Sequence, residues 1–309
     1  MTTALFTHRI CLEHETGQGH PESPERLAAV MDRLGDPEFD SLLRLEAPIA
    51  QRGQISRAHA IPYMSDVLDA VPEEGLVEFA VDTHLSPRSG QAILRAAGSV
   101  CAAVDAVADG QANNAFCAVR PPGHHAGQSQ AMGFCFFNNV AVGVHHARAI
   151  RKFERIAVID FDVHHGNGTQ SIFQRDPLTF FASTHQWFLF PRTGSREETG
   201  VGNIVNVPLK RLATGAEFRE AFRTEILPPL HQFKPDFIFI SAGFDAHKAD
   251  PLGELLLDDS DFTWAFEQIA HVASEFCDGR IVSVLEGGYD PKALAESCAA
   301  HVRALMAAS

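Results

Sequence analysis

Two acids and two histidines stand close together in Asp160-Phe161-Asp162-Val163-His164-His165, directly before Gly166-Asn167-Gly168. They follow a short apolar run, Ile156-Ala157-Val158-Ile159, which reads as a buried strand. The glycines permit the tight turn that follows. Asp162 and His164 are two residues apart, so in extended chain they point to the same side. An oxygen donor and a nitrogen donor converging on one point suit zinc. Asp245, in Ser241-Ala242-Gly243-Phe244-Asp245, ends another apolar run and is the natural third ligand. Three protein ligands with an open fourth position describe a catalytic metal rather than a structural one. The plain alternative makes these residues helix caps, turn residues and satisfied histidines. Four ionisable groups at one strand end weigh against it.

A hydrolytic metal site also needs a base and an acid. His124-His125, after Arg120-Pro121-Pro122-Gly123, can supply them. Asp160 or Asn167 can take the distal ring nitrogens and orient each imidazole. Tyr289, between Gly287-Gly288 and Asp290-Pro291, carries a hydroxyl able to hold a developing oxyanion. As a packed loop aromatic it would do nothing of the kind, and the residue alone does not decide. Gly133-Phe134-Cys135-Phe136-Phe137 and Trp187-Phe188-Leu189-Phe190 are aromatic clusters beside these loops. Most such residues are core, but Phe134 and Phe190 could wall a narrow channel for an alkyl side chain.

Alternating strands and helices must position these groups. Apolar runs at Ala4–Thr7, Phe116–Val119, Ile156–Ile159, Leu178–Ala182, Ile204–Val207, Phe237–Ile240 and Ile281–Leu285 read as strands. Helical patterns cover Pro24–Leu34, Ile61–Ala70, a long stretch from Ser86-Pro87 to Asp109-Gly110, Asn138–Ile150, Thr169–Phe173, Ala216–Phe233, Asp261–Phe276 and Pro291–Met306. Pro228-Pro229 must kink or interrupt the sixth of these. The strands are continuous apolar runs, the pattern of a parallel sheet covered by helices on both faces. His124-His125, Asp160 to His165, Ser183-Thr184, Asp245 and Tyr289 all follow strands. In a parallel sheet those loops share one edge and converge on one crevice.

The chain has 309 residues, 45% hydrophobic and 21% charged, an ordinary globular balance. No linker divides it, so one domain over 1–309 is expected. The net charge of −14 leaves no basic surplus for nucleic acid. The N-terminal residues lack the pattern of a signal peptide, and no stretch reads as a membrane span. The six cysteines are scattered with no Cys-x-x-Cys pair, so a reduced, cytoplasmic setting is expected.

Together, Arg120-Pro-Pro-Gly-His-His-Ala126, Gly133-Phe-Cys-Phe-Phe-Asn138, Asp160-Phe-Asp-Val-His-His-Gly-Asn-Gly168, Ser241-Ala-Gly-Phe-Asp-Ala246 and Leu285-Glu-Gly-Gly-Tyr289 resemble the zinc-dependent histone deacetylase and acetylpolyamine amidohydrolase family. The match is closer to the class II branch and its bacterial members, where Asn167 is usual. The resemblance implies the arginase-deacetylase fold, a single open parallel sheet of about eight strands. It assigns zinc to Asp162, His164 and Asp245. It makes His125 the general base and acid, oriented by Asn167, and His124 its electrostatic partner, backed by Asp160. Tyr289 polarises the carbonyl. Gly133 lies where a backbone carbonyl holds the substrate amide, and Phe134 and Phe190 match the tunnel aromatics. A structural potassium ion is implied at Asp160, Asp162, His164, Ser183 and Thr184. Arg26 falls beside the acetate exit.

The implied activity is removal of acetyl or a related short acyl group by metal-activated water. Fe(II) is an alternative ion for the same donors. A two-manganese ureohydrolase would add an acid two residues beyond each key ligand, and Gly166 and His247 stand there instead. Leu252 resembles the gatekeeper at the tunnel mouth, where polyamine-selective relatives carry Glu. Leu252 therefore favours acetylated lysine in a protein or peptide over an acetylated polyamine as partner. Glu13, Glu15, Glu22 or Asp82 could still receive a polyamine. A non-catalytic amide-binding scaffold is the rival of another class, and a homo-oligomer is left open.

Overall fold

The computed structural model describes residues 2–308. Ten strands are present: β1 (Thr3–Thr7), β2 (Leu43–Glu46), β3 (Val77–Ala80), β4 (Thr83–Leu85), β5 (Asn114–Cys117), β6 (Ile156–Asp160), β7 (Thr179–Gln186), β8 (Ile204–Leu209), β9 (Phe237–Ala242) and β10 (Ile281–Leu285). Ten α-helices accompany them among the described residues: α1 (Pro24–Arg33), α2 (Arg52–Ile55), α3 (Ile61–Asp69), α4 (Ser89–Ala108), α5 (Asn139–Arg151), α6 (Asn167–Phe173), α7 (Gly215–Ala221), α8 (Leu227–Phe233), α9 (Asp259–Phe276) and α10 (Pro291–Ala308).

Eight strands form one sheet in the order β2-β1-β5-β10-β9-β6-β7-β8. Every pairing in it is parallel. The central strands β5, β6, β9 and β10 are buried along their whole length, as continuous apolar runs require. α4 and α5 pack together over β1, β5, β9 and β10, while α10 packs against β5 and on both α1 and α9. From β6 the chain moves to β7 and β8. It then returns to β9 on the other side of β6 and proceeds to β10. β6 and β9 are therefore neighbours whose onward connections leave in opposite directions. A crevice opens at the carboxyl ends of such a pair. The register Asp160↔Ser241 aligns those two ends, so the loops carrying Asp162 and Asp245 start level.

The structure departs from the sequence reading in several places. β2 is absent from it, because Leu-Arg-Leu-Glu alternates as a half-exposed edge strand and carries no continuous apolar run. The β3–β4 hairpin is likewise absent from it, its strands being only four and three residues long. β5 begins two residues earlier than expected, at Asn114. β7 extends through Gln186, so Ser183, Thr184 and His185 lie within the strand and not after it. Pairing with β6 on one side and β8 on the other sustains it past the apolar residues. α4 starts at Ser89, after Ser86-Pro87, and α6 starts at Asn167, which places that residue in a first helical turn. Between α7 and α8 the helix widens into a π turn at Phe222–Ile226. That turn accommodates Pro228-Pro229, which offer no N–H to an ordinary ladder. α4 does reach the length and apolarity of a membrane span, contrary to the reading above. However, 67% of that stretch is buried inside the fold, as in a core helix.

Candidate active site

Asp160 ends β6, and short hydrogen bonds wind the chain beyond it. The Asp162 N–H donates to Asp160 Oδ1 (3.1 Å), and the His164 N–H donates to Asp162 Oδ1 (2.9 Å). The other carboxylate oxygens are held from neighbouring loops. Asp162 Oδ2 accepts from the Gly287 N–H at 2.8 Å, and Asp245 Oδ1 from the Val163 N–H at 2.7 Å. His164 Nδ1 lies 3.1 Å from Asp162 Oδ1 and 3.0 Å from Asp245 Oδ2. The ligand atoms of Asp162, His164 and Asp245 thus all lie within 4.8 Å of one another, and all three residues are buried. Glycine makes this convergence possible. A Cβ at Gly243 would lie 2.0 Å from Asp162 Oδ2, and one at Gly287 would lie 2.1 Å from Asp245 Oδ2.

The electrostatics fit a cation. Burial, then repulsion by Asp162, pushes the Asp245 carboxyl up to about 7. Burial works against a charged His164, yet its bonds to Asp162 and Asp245 hold the ring up to about 10. Two adjacent carboxylates are thus competing for positive charge in a low-dielectric site. A divalent ion held by two carboxylates and an imidazole would answer that demand in place of the protons.

His124 and His125 lie against each other beside this trio, ring centroids 4.0 Å apart and planes tilted by 46°. His124 Nδ1 donates to Asp160 Oδ2 at 2.9 Å, and its Nε2 lies 3.8 Å from Asp162 Oδ2. Burial opposes charge on His124, but Asp162 and Asp160 outweigh it and raise its affinity for a proton well above the ordinary value. His125 behaves oppositely. Burial, His124 and His164 all depress its proton affinity well below the ordinary value. Its Nδ1 pairs with Asn167 Oδ1 at 2.8 Å. Two chemically identical side chains are thereby driven apart, one toward the cation and one toward the neutral base.

His125 and His164 open into a cavity of about 460 Å³, lined also by Met132, Gly133, Phe134, Leu189, Phe190, Leu252, Tyr289 and the hairpin residues Ala80, Val81 and Asp82. Phe134 and Tyr289 face each other across it, centroids 5.9 Å apart, and Phe190 stands edge-on to His125 at 5.1 Å. Met132 and Cys135 close a tight turn through paired backbone bonds of 3.2 and 3.0 Å. Between them, Gly133 (φ 55°) and Phe134 (φ 69°) both have positive φ. This is the pattern of a type I′ turn, and it aims the Phe134 ring into the cavity. Gly133 can carry no side chain there, since a Cβ would lie 2.4 Å from His125 Cδ2. The positions expected to hold metal, transfer protons and wall a channel thus meet in one place.

The histone deacetylase domain family matches residues 20–305. The chain belongs to the histone deacetylase family. It is 39% identical to a probable deacetylase of Archaeoglobus fulgidus, over 94% of this chain and 82% of that protein. It is 36% identical to the histone deacetylase-like amidohydrolase of Pseudomonas aeruginosa, over 93% of this chain and 81% of that one. Type-2 histone deacetylase 2 of Dictyostelium discoideum shares 36% identity across 99% of this chain, which spans only 21% of that longer protein. The crystal structure of the HDA15 HD domain superposes with a TM-score of 0.94 at 32% identity, covering 99% of this chain and 88% of that one. The open eight-stranded parallel sheet is the arginase-deacetylase fold.

Further residues serve this deacetylase site in roles that the sequence did not assign. Asp250 accepts from the Leu252 N–H (2.9 Å) and the Tyr289 N–H (2.6 Å), so one buried carboxylate ties the tunnel mouth to the tyrosine loop. Glu286 Oε2 accepts from the N–H groups of Gly123 and His124, fixing the histidine loop from beneath. His165, left above without a role, is buried and bonded at both nitrogens, to Thr193 (2.8 Å) and Gln170 (2.9 Å). It anchors the loop bearing Phe190. Glu286 and His165 stand within motifs already quoted, but nothing in the sequence says which distant groups they or Asp250 serve. Of the residues matched to potassium, Asp160 and Ser183 are register partners across β6 and β7. The Ser183 hydroxyl is engaged by His185 at 3.0 Å, and Thr184 Oγ1 is buried without a hydrogen-bond partner.

The four acids offered to a polyamine are placed differently from one another. Glu22 receives no polyamine, being wholly buried between Arg120, Arg26 and His14. Glu13 is taken by Arg88 at 3.5 Å, and Glu15 borders a different cavity. Asp82 does reach the tunnel rim. Arg26 is also more constrained than an arginine beside an exit. It donates to the Gly288 and Glu286 carbonyls and to Glu22, with its guanidinium 4.8 Å above the Tyr289 ring. Its evident work is to brace the Gly287-Gly288-Tyr289 turn.

Proposed function

We propose that this deacetylase is a zinc-dependent hydrolase removing acetyl or short acyl groups from lysine side chains of proteins or peptides. The observation that carries this reading is the buried Asp162–His164–Asp245 trio beside an apolar cavity that also exposes His125 and Tyr289. Asp162, His164 and Asp245 would hold the ion, which when bound supplies Lewis acidity toward a water and an amide carbonyl. Fe(II) suits the same donors.

The chain's own groups do the rest. His125, neutral and oriented by Asn167, takes a proton from the attacking water and returns it to the departing amine. His124, paired with Asp160 and close to Asp162, keeps a positive charge beside the reacting centre. Tyr289 donates a hydrogen bond from its hydroxyl to the oxyanion as the carbonyl carbon becomes tetrahedral. Phe134 and Phe190 pack the alkyl chain and exclude water, and the Gly133 carbonyl can accept the substrate amide N–H. A potassium ion among Asp160, Asp162, His164, Ser183 and Thr184 would stiffen the loop beneath.

Lysine is favoured over polyamine by the composition of the mouth. Leu252, Val81, Leu189 and Phe190 surround it, and Asp82 is the one acid among the residues lining the cavity. A second ammonium group would therefore be desolvated against apolar surface with little compensation. The zinc-loaded protein is expected to release acetate from an acetyl-lysine peptide faster than from acetylputrescine or acetylspermidine, and a chelator should abolish release. Faster turnover of the acetylpolyamines would reverse the substrate assignment. No chelator-sensitive release from any of them would favour the scaffold reading. Leu252→Glu is expected to raise activity on acetylpolyamines, and an unchanged ratio between the two substrate classes counts against the gatekeeper role.

A further inference from the structure

We propose that Met132 is a positioning residue for His125. Its sulfur decides which way round the Asn167 amide faces, and through that amide which imidazole nitrogen carries the proton. The proposal rests on the reading of His125 as the proton-transfer group.

A primary amide can face a neighbour with its oxygen or its nitrogen, two orientations of nearly the same shape. Asn167 Oδ1 lies 2.8 Å from His125 Nδ1, so the ring must carry its hydrogen on Nδ1. The Nε2 lone pair is then free to accept a proton. Reversed, the amide NH₂ would donate to Nδ1, the hydrogen would move to Nε2, and the base would be blocked. Pairing with His125 alone does not choose between the two, since a neutral imidazole can donate or accept at Nδ1.

The choice is made on the other side of the amide. Asn167 Nδ2 donates to Met132 Sδ at 3.3 Å. A thioether sulfur accepts a hydrogen bond but has no proton to give. Reversal would therefore lose this bond and set the amide oxygen against sulfur lone pairs. Asn167 itself is fixed in the first turn of α6, so its amide cannot swing to another partner without moving the helix.

Met132 is well held for this task. It begins the tight turn that also contains Gly133 and Phe134, and its backbone is bonded in both directions to Cys135. The same turn lies against the His125 ring, because Gly133 has no room for a side chain there. One short segment therefore forms part of the tunnel wall and sets the tautomer of the base.

The test uses the zinc-loaded protein. Met132→Leu keeps the bulk and removes the acceptor. It is expected to lower kcat about 3- to 10-fold, the scale of one net hydrogen bond. KM for an acetyl-lysine peptide should be unchanged. Imidazole ¹⁵N spectra should change from the Nδ1–H tautomer of His125 to a mixture. In an Asn167→Asp background both oxygens accept equally, so adding Met132→Leu should cause no further loss of kcat. A pure Nδ1–H tautomer in Met132→Leu overturns the proposal, as does the same loss in both backgrounds. If the protein hydrolyses no amide while the tautomer still shifts, the positioning role stands and the assignment of the reaction fails.

Discussion

Tyr289→Phe is expected to lower kcat about 100- to 1000-fold, the effect of removing one oxyanion donor. The hydroxyl must be a donor for this to hold, and its surroundings keep it protonated. Burial pushes the phenol well above its ordinary range; Arg26 opposes that, and Asp245 and Asp162 reinforce it. The substitution spares everything that positions the ring. The backbone N–H stays on Asp250, and the ring keeps its packing against Phe134 and Arg26. KM should therefore change little, since the lost bond strengthens in the transition state more than in the bound substrate. Steady-state kinetics on an acetyl-lysine peptide, with a thermal melt to verify the fold, measure both quantities. Turnover within about threefold of the parent would remove Tyr289 from the chemistry, well short of the loss set by an oxyanion donor.

Glu22→Ala is expected to destabilise the protein by about 3–5 kcal/mol, because removing one member of a buried ionic cluster strands the others. Glu22 is paired with both oxygens to Arg120 and with one also to Arg26, and all three side chains are buried. Arg120 additionally holds the Cys11 and His14 carbonyls, so the cluster joins the N-terminal segment to the His124-His125 loop. Burial would raise the Glu22 carboxyl, but Arg120, Arg26 and His14 outweigh it and hold it at about 2, against an ordinary value of 4.5. The group is thus depressed in the folded state. Its contribution is fully present above pH 4.5 and is lost as pH falls through that value toward 2. Urea unfolding at a series of pH values should show this loss in the parent and a flatter acid limb in Glu22→Gln. Equal midpoints for Glu22→Ala and the parent at pH 7, or parallel acid limbs for Glu22→Gln and the parent, would overturn the assignment.

Much of the site was legible in the residues themselves. Asp162 and His164 sit two apart after an apolar run, and that spacing survives folding because the Asp160–His164 loop is wound by its own short side-chain bonds. The alternation of strands and helices was equally legible, since buried parallel strands must be apolar throughout. What escaped was polar or short. β2 alternates at a sheet edge, and β7 runs on through Ser183 and Thr184 because its neighbours supply the pairing. The roles of Asp250 and Glu286 escaped because a carboxylate that serves backbone N–H groups elsewhere in the chain leaves no local sign of its partners. Glu22 was misread for a related reason. An acid is ordinarily a surface residue, and only its distant partners Arg120 and Arg26 show it to be interior.

The sequence by itself determined which chemical groups were available, and their order along a parallel sheet made a common edge the place to find them. Only the tertiary structure decided what each group does there. The reversal of strand order between β6 and β9 brings Asp162 and Asp245 to one point from loops far apart in the chain. Contacts across loops then separate identical side chains. His124 is set against Asp160 and Asp162 and gains proton affinity, while His125, buried beside His124 and His164, loses it despite its bond to the Asn167 amide. A pKa and a tautomer belong to surroundings rather than to residue types. Those surroundings are assembled only when distant segments pack together in a water-poor interior.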